Sequence, residues 1–325
     1  MKIIITGAGG FLGRNLASAL LFGGHKVWNF SRGNHPQLQK MGIETTCGNL
    51  QNEADVDAAF KGMDVVFHVA SRVGIWGPYD EYYRTNVIGT ENVIKACRAN
   101  GITKLIYTST PSVVFDGTDI CGADEARPYS QKFYNYYSET KTIAEQMVLQ
   151  ANNEKLCTVA LRPHQIIGPD DPHLVPRLVH AAKLGRLKIV GSGKNLVDVT
   201  YIQNAVDAHV LAFEKLSPRS RVAGQAYFIG QERPVVLWDF INEILARHHL
   251  PKITKKVPAG LAFNIGLFFE SWYRFFKING EPPMTRFVSL QFSRSHYFSH
   301  EKAKNDFGYD PKISIEQALD LTVRK

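Results

Sequence analysis

A glycine-rich turn close to the amino terminus constrains this chain more than any other feature of its sequence. Residues 6–13 read Thr-Gly-Ala-Gly-Gly-Phe-Leu-Gly, directly after a short apolar run and directly before a segment with helical spacing. Glycine at position 7 allows a tight turn, at position 10 it lets backbone N–H groups approach a ligand, and at position 13 it allows close packing of the helix. Because a helix N-terminus also carries partial positive charge, the turn predicts a site for the pyrophosphate of a dinucleotide.

Short apolar runs alternate with helix-length segments through the first half of the chain. The runs cover residues 2–6, 26–30, 65–69, 105–109 and 159–161, and residues 85–99 are long enough for a crossover helix. Such alternation predicts an α/β fold of the Rossmann type, with a doubly wound parallel sheet and helices on both faces. Ligands of such sheets bind at the carboxyl ends of the strands, so the site is expected there.

Chain length and proline usage indicate two unequal domains. The chain has 325 residues, and proline becomes frequent after residue 168, so one typical domain does not account for it. We expect a dinucleotide-binding domain over residues 1–168, with about 199–232 packing back on it. A smaller C-terminal substrate-binding subdomain is then expected from residues 169–198 and 233–325.

Composition and charge exclude several classes of protein. A hydrophobic content of 44% and a charged content of 21% are typical of a soluble globular protein. The cysteines and histidines show no disulfide or metal-ligand spacing and the first apolar run is too short for a signal peptide, so we expect no metal and a cytoplasmic location. The net charge of +8 comes from dispersed lysines and arginines. Such a distribution indicates no nucleic-acid partner but suits a phosphate-bearing ligand or an anionic membrane surface.

The end of the second predicted strand bears on the choice of cofactor. A site specific for NAD normally has Asp or Glu there, because the carboxylate binds the ribose 2′-hydroxyl. This chain has Ser31 and Arg32 instead. Without a carboxylate to repel a 2′-phosphate, and with a guanidinium able to pair with it, NADP(H) is the favoured cofactor. NAD(H) stays open as the alternative, with Ser31 at the ribose and Arg32 in solvent.

Tyr137 and Lys141 form the candidate catalytic pair. They are four residues apart, which on a helix places them on one face about one turn from each other. Free tyrosine has a pKa of about 10, and a neighbouring ammonium is expected to lower this pKa and favour the phenolate. Tyr137 would then exchange a proton with an alcohol or ketone. Ser109 and Thr110 follow a predicted buried strand, so one of their hydroxyls is expected to hold the reacting oxygen.

Together these motifs resemble the extended short-chain dehydrogenase/reductase family, and the resemblance covers essentially the whole chain. It rests on several motifs in the family's order, among them the G-x-x-G-x-x-G spacing, Asn86 and the Tyr-x-x-x-Lys pair. Within the family, residues 107–115, 281–286 and 296–299 resemble the 3β-hydroxysteroid dehydrogenase branch. That branch includes sterol-4-carboxylate dehydrogenases and reductases of long-chain 2-alkyl-3-oxo acids.

The resemblance implies an NAD(P)(H)-dependent oxidoreductase that interconverts a secondary alcohol and a ketone on an apolar, steroid-like or long-chain substrate. It implies the catalytic residues Tyr137, Lys141, Thr110 and Ser109, with Thr110 at the position of the family's hydroxyl residue. The implied cofactor contacts are Gly7, Gly9, Gly10, Phe11, Leu12, Gly13, Ser31, Arg32, Asn49, Leu50, Val69, Ala70, Ser71, Asn86, Tyr137, Lys141, Arg162 and Pro163. Asn49 stands where the family often has aspartate, and its carbonyl can still accept a hydrogen bond from adenine.

Residues 261–280 are dense in aromatic and aliphatic side chains, interrupted by Glu270, Arg274 and Lys277. As a helix this segment is too polar to span a membrane. It could line an apolar pocket, lie on a membrane surface, or pack as a core or dimer helix. We expect an apolar small-molecule substrate, peripheral membrane contact and a homodimer.

Two other functions share these motifs. A nucleotide-sugar epimerase or dehydratase of the same fold would use the same turn and the same Tyr-Lys pair, and would hold NAD with no net oxidation. A non-catalytic dinucleotide-binding regulator would keep the fold but usually lose the tyrosine or the lysine, and this chain has both.

Overall fold

The computed structural model describes residues 1–172 and 174–323. Its strands in chain order are β1 (Lys2–Thr6), β2 (Lys26–Ser31), β3 (Glu44–Cys47), β4 (Val65–His68), β5 (Lys104–Thr108), β6 (Ile120–Ala123), β7 (Cys157–Pro163), β8 (Ile166–Ile167), β9 (Ile189–Val190), β10 (Leu196–Val197), β11 (Thr200–Tyr201), β12 (Gln225–Ile229), β13 (Val235–Val236), β14 (Lys256–Val257) and β15 (His296–Phe298).

The helices pack around these strands. In chain order they are α1 (Phe11–Phe22), α2 (Pro36–Lys40), α3 (Glu53–Phe60), α4 (Tyr79–Tyr82), α5 (Gly89–Ala99), α6 (Tyr136–Gln150), α7 (Leu174–Lys183), α8 (Ile202–Lys215), α9 (Leu237–Arg247), α10 (Ala259–Phe275), α11 (Arg286–Ser293), α12 (Glu301–Phe307) and α13 (Ile315–Val323). A π-helix (Tyr83–Ile88) joins α4 to α5, and a 3-10 helix (Pro111–Val114) follows β5.

Seven strands form one parallel sheet in the order β12-β7-β5-β4-β1-β2-β3. The direction of winding reverses between β1 and β4, and the crevice beyond the carboxyl ends of such a pair is where doubly wound sheets bind ligands. The predicted Rossmann-type fold is confirmed.

The two faces of the sheet bury alternate residues of the central strand. Ile3 and Ile5 pack on one side with Leu16 of α1, whereas Ile4 packs on the other side with Phe60 of α3. A strand between two helix layers has no face in solvent, which explains why β1 is a continuous apolar run. The glycine turn begins where the chain leaves the sheet, directly after Thr6.

Several elements differ from the predicted pattern, three of them in or beside the large sheet. The sequence predicts one helix over residues 85–99, whereas the structure has the π-helix followed by α5. Strands β3 and β12 have no counterpart among the predicted strands. Glu44–Cys47 is a polar, largely exposed edge strand, so it lacks the apolar run that marks the other strands.

The carboxyl-terminal half adds a second, four-stranded sheet in the order β13-β10-β15-β6. Helix α8 packs against α1, and β12 forms one edge of the large sheet. The division into two domains at residue 168 stays a prediction, and positions 173, 324 and 325 of the predicted subdomain lie outside the described residues. Within the described ranges, every helix is too short or too polar to cross a membrane.

Candidate active site

The glycine turn leaves β1 and enters α1 at the switch point of the sheet. Gly7 has a φ of +77°, a conformation that favours glycine. A Cβ atom on Gly13 would lie 2.3 Å from the Gly7 carbonyl oxygen and 2.8 Å from Cα of Ala8, so the turn closes only around a glycine there. Gly10 caps the helix, and none of the described side chains caps the N-terminal amides of α1. These amides therefore remain available for an anionic ligand such as a pyrophosphate.

Gly9 makes a contact that the sequence does not predict, and its contact with the cofactor stays a prediction. A Cβ atom on this residue would lie 2.1 Å from the imidazole of His35, which precedes α2. Gly9 therefore gives His35 room to lie against the turn, and it does not itself line the cleft. The contact joins two segments that are 26 residues apart in the sequence, so the sequence pattern alone gives no sign of it.

A cleft of about 640 Å³ opens at the carboxyl ends of the strands, beside the glycine turn. It brings together most of the predicted cofactor and catalytic residues: Gly7, Gly10, Phe11, Leu12, Gly13, Ser31, Arg32, Asn49, Leu50, Val69, Ala70, Ser71, Ser109, Thr110, Tyr137, Lys141 and Pro163. Gly9, Asn86 and Arg162 are not among its lining residues. The volume, the glycine turn and the uncapped amides fit a nicotinamide dinucleotide.

Several lining residues were not predicted, among them Gln51, Val73, Gln165, Ile166 and Leu174. Gln165 and Ile166 follow the carboxyl end of β7, and this position alone could have suggested them. The φ of +37° at Gln165 turns the chain sharply there. The sequence carries no signal for that turn, because it has no glycine or asparagine at the position.

Helix α6 carries the candidate catalytic pair along one side of the cleft. Its N-cap is Asn135, whose side chain accepts a hydrogen bond from the backbone N–H of Ser138 at 2.8 Å. Tyr137 therefore lies in the first turn and Lys141 one turn later. The Nζ atom of Lys141 donates to the carbonyl oxygen of Thr108 at 2.6 Å. The same atom lies 4.0 Å from the centre of the Tyr107 ring.

The pKa values of the pair are both shifted by burial. Burial lowers the pKa of Lys141 to about 7, against an opposing effect of Glu145. Desolvation raises the pKa of the partly buried Tyr137 to about 12, although a hydrogen bond with Thr110 acts to lower it. In the structure, Lys141 is directed to Thr108 and to the Tyr107 ring. The lowering of the Tyr137 pKa by the ammonium together with an oxidised nicotinamide stays a prediction. A protonated Tyr137 is a proton donor at neutral pH.

The two hydroxyl residues after β5 have separate environments. Thr110 caps the 3-10 helix, where its Oγ1 accepts from the backbone N–H of Ser112 at 3.2 Å, and it also hydrogen-bonds Tyr137. Ser109 is buried, and its hydroxyl acts to lower the pKa of Glu145. Thr110 is thus the hydroxyl that contacts Tyr137, in agreement with the position implied by the family resemblance.

Asn86 and Arg162 act on the site through other residues. The side chain of Asn86 accepts from Arg72 N at 2.7 Å and donates to Arg72 O at 3.1 Å and to Thr140 Oγ1 at 3.0 Å. Because Thr140 lies between the two catalytic residues on α6, Asn86 fixes this helix against the segment after β4. Arg162 is directed into the interior, where its Nε lies 3.0 Å from Oε2 of the fully buried Glu145. Both are positioning residues.

A parallel sheet with a glycine phosphate turn at its switch point, and with a Tyr-Lys pair and a threonine hydroxyl at the same edge, defines the extended short-chain dehydrogenase/reductases. The sequence model of the 3-beta hydroxysteroid dehydrogenase/isomerase family matches residues 4–257. The chain therefore belongs to the 3-beta hydroxysteroid dehydrogenase/isomerase family, as the motif resemblance predicts.

Curated relatives extend over nearly the whole chain. It is 48% identical over 322 residues to a 2-alkyl-3-oxoalkanoate reductase of Stenotrophomonas maltophilia, covering 98% of this chain and 97% of the relative. It is 37% identical over 328 residues to the decarboxylating sterol-4-alpha-carboxylate 3-dehydrogenase of Mus musculus, covering 99% of this chain and 90% of the relative. Since these relatives are a reductase and a dehydrogenase, the predicted oxidoreductase class is confirmed.

Solved structures share the fold. The crystal structure of gox2253 matches with a TM-score of 0.79 and 25% identity, covering 99% of this chain and 96% of that one. A UDP-glucuronic acid 4-epimerase from Bacillus cereus, in complex with NAD, matches with a TM-score of 0.75 and 22% identity, covering 99% and 97%. At the lower identity the likeness shows the fold alone.

Proposed function

We propose that this protein interconverts a ketone and a secondary alcohol on a large apolar substrate, with the cleft residues predicted from the sequence holding an NAD(P)(H) cofactor. The observation that carries the proposal is the common cleft in which Tyr137, Lys141 and Thr110 lie together with the glycine turn. The names of the two relatives support the apolar substrate, since one is a reductase of 2-alkyl-3-oxoalkanoates and the other a dehydrogenase of sterol-4-alpha-carboxylates.

The side chains divide the proton chemistry among them. When bound, the nicotinamide supplies or accepts the hydride. Tyr137 donates a proton to the oxygen that becomes the hydroxyl, and takes it back in the reverse direction. Thr110 orients the phenol through their hydrogen bond. Lys141, held by the carbonyl of Thr108, adds positive charge beside a developing alkoxide whenever it is protonated.

The substrate class is tested by following NADPH oxidation by absorbance. We expect turnover of a long-chain 2-alkyl-3-oxo acid or a 3-oxo steroid, with kcat/KM falling as the apolar part is shortened, because remote apolar contacts contribute binding energy to the transition state. UDP-glucuronic acid serves as the matched polar substrate. Epimerisation involves no net oxidation of the cofactor, so it is followed by chromatography of the sugar nucleotide. Conversion of UDP-glucuronic acid to its epimer, with no turnover of any apolar ketone, would favour an epimerase and overturn the proposal. Dinucleotide binding without turnover of any substrate would favour the regulator.

We infer a preference for NADP(H) from the end of β2. Arg32 lines the cleft, and the Ser31 hydroxyl is engaged within its own loop, accepting from Asn29 Nδ2 at 2.9 Å and donating to the Gly33 carbonyl at 2.9 Å. A hydroxyl held in this way is less available to a ribose, whereas the guanidinium remains in the cleft for a 2′-phosphate.

Replacing Ser31 with aspartate is expected to shift the cofactor preference towards NAD(H). The new carboxylate repels a 2′-phosphate and competes for Arg32, so the ratio of kcat/KM for NADPH over NADH should fall by about tenfold or more. Ser31→Asn is the control, because asparagine has nearly the same size as aspartate but no charge. A wild-type protein that already prefers NADH would contradict the role given to Arg32.

We propose that α10 is the surface through which the protein meets a membrane. Its protein-facing side consists of Ala262, Gly266 and Glu270, and a Cβ atom on Gly266 would lie 2.6 Å from the backbone of the segment before α11. Several aromatic side chains face outward, with 58% of Phe268, 47% of Trp272 and 80% of Phe275 exposed. The helix is thus apolar on its solvent side, which is typical of an interfacial helix and unlike a core helix.

Vesicle sedimentation tests this surface. The wild-type protein should sediment with anionic vesicles in a salt-sensitive way, and Phe275→Ser should lower the bound fraction severalfold. Phe22→Ser is the control, since Phe22 is 96% exposed at the end of α1, on a different helix. Equal losses in the two variants would contradict the proposal. The predicted homodimer could bury the same face, and a dimer in lipid-free solution that Phe275→Ser dissociates would favour that arrangement.

A further inference from the structure

A second cavity of about 550 Å³ lies beside the cofactor cleft. The segment of residues 71–78 separates the two spaces, because Ser71 and Val73 line the cleft whereas Arg72 and Trp76 line the second cavity. The segment is fixed near both ends, by Asn86 at Arg72 and by the hydroxyl of Tyr82, which donates to the Trp76 carbonyl at 3.0 Å. The second cavity is therefore an independent, formed space at the rim of the active site.

Two cations of this cavity are not neutralised by carboxylates. Arg72 pairs with Glu81 at 2.7 Å, and Glu281 of the cavity wall pairs with Arg177. Among the residues that the structure describes, neither Arg274 nor Lys277 forms a salt bridge. The cavity thus has an excess of positive charge.

The contact of the Arg274 guanidinium with an aromatic ring favours ligand binding. Its guanidinium lies 5.2 Å from the centre of the Trp76 ring, and Trp76 itself makes an edge contact with Tyr273, 6.5 Å between ring centres. Stacking on a ring leaves the N–H edge of a guanidinium unused, and that edge matches a carboxylate with two hydrogen bonds. Lys277, two residues beyond the end of α10, contributes a second charge to the same cavity.

The end of α10 and the residues just after it also carry apolar surface, next to the two cations. Phe275 and Phe276 are exposed, and Trp272 stacks towards Phe276 with ring centres 4.4 Å apart. A charged cavity beside an apolar strip matches an amphiphile with an anionic head and a long apolar tail. Both relatives named above act, by their names, on substrates that carry a carboxylate.

We propose that this cavity is a loading site for the carboxylate of a long-chain acid substrate, which Arg274 and Lys277 bind before the reacting carbon enters the cleft. The inference rests on the proposed function, because it assumes an oxo acid as substrate. The apolar tail lies along the exposed face of α10, and the carboxylate is selected by charge.

Paired substrates test the loading site in the full-length protein. We expect Arg274→Gln to lower kcat/KM for a 2-alkyl-3-oxo acid by about tenfold or more, while its methyl ester is turned over as by wild type and KM for NADPH is unchanged. Arg219→Gln is the control, because Arg219 pairs with Glu154 on the open surface. An unchanged ratio of acid to ester in Arg274→Gln would overturn the proposal.

Direct binding separates this inference from the proposed function. Palmitate has the carboxylate and the tail but no oxo group, so wild type should bind it by calorimetry, and Arg274→Gln should bind it about tenfold more weakly. If Arg274→Gln binds palmitate more weakly than wild type but the wild type turns over no oxo acid, the proposed function alone is refuted. Loss of binding to phosphatidylglycerol vesicles in Arg274→Gln, with unchanged palmitate binding, would make the cavity a lipid headgroup site and overturn the loading role.

Discussion

Replacing Tyr137 with phenylalanine is expected to lower kcat by about 10²-fold or more, with little change in cofactor affinity. The substitution removes only the phenolic oxygen, and desolvation keeps that oxygen protonated by raising its pKa to about 12. Without the proton donor, the oxygen of the ketone develops negative charge that only Thr110 and the protonated fraction of Lys141 can stabilise. The loss should therefore appear in the chemical step, measured by single-turnover oxidation of NADPH.

Two controls separate this effect from a structural one. Titration of NADPH by fluorescence should give nearly the wild-type affinity in Tyr137→Phe, since the ring still fills its place in the cleft. Tyr297→Phe is the matched variant, because it removes a phenolic oxygen in β15 from a ring that lines neither the cleft nor the second cavity. Near-normal turnover in Tyr137→Phe, or equal losses in both variants, would refute the assignment of Tyr137.

The local parts of this site follow from the sequence because they depend on neighbours along the chain. The turn between β1 and α1 needs glycine at 7 and 13 for reasons of backbone geometry and close approach, and both reasons operate within a few residues. The spacing of Tyr137 and Lys141 places them in successive turns of α6 wherever that helix lies. Such features depend on the local sequence and can therefore be predicted from it.

The remaining parts depend on residues brought together from distant segments. The pKa of Tyr137 is set by desolvation, and the direction of Lys141 by the carbonyl of Thr108, 33 residues earlier.

The faces of α10 also depend on distant residues. Its sequence is apolar nearly all round, and the inward side is fixed by the fit of Gly266 against the segment before α11 and by Glu270, whose Oε2 accepts from Arg286 Nε at 2.8 Å. Periodicity cannot identify such partners.

The buried pair of Arg162 and Glu145 joins the sheet to the catalytic helix. Arg162 is in β7 and Glu145 is one turn beyond Lys141 in α6, with 3% and 0% of their side chains exposed. Burial acts to raise the pKa of Glu145, but the charge of Arg162 and hydrogen bonds from Arg162 and Tyr129 together lower it. The carboxylate therefore stays ionised in the interior, and the pair holds α6 in register with the strand that borders the cleft.

Replacing Glu145 with glutamine is expected to lower the free energy of unfolding by about 3–5 kcal/mol, because the Arg162 guanidinium is left buried without a counter-charge. Urea unfolding monitored by circular dichroism measures the loss. The double variant Glu145→Leu with Arg162→Met should recover much of the stability, since it removes both charges and keeps apolar volume. Glu154→Gln is the surface control and should change the stability by about 1 kcal/mol at most.

The pH dependence gives an independent measure of the same pair. A carboxyl group whose pKa is lower in the folded than in the unfolded protein stabilises the fold above its unfolded pKa of about 4.3, and that stability is lost as the pH falls through the folded pKa. Wild type should therefore lose stability more steeply than Glu145→Gln on acidification below about pH 4. In the variant, Lys141 also loses the carboxylate that acts to raise its pKa. The ammonium of Lys141 should therefore lose its proton at a lower pH in the variant than in wild type. If Glu145→Gln had the stability of wild type and the same dependence of stability on acid pH, the role of the pair would be contradicted.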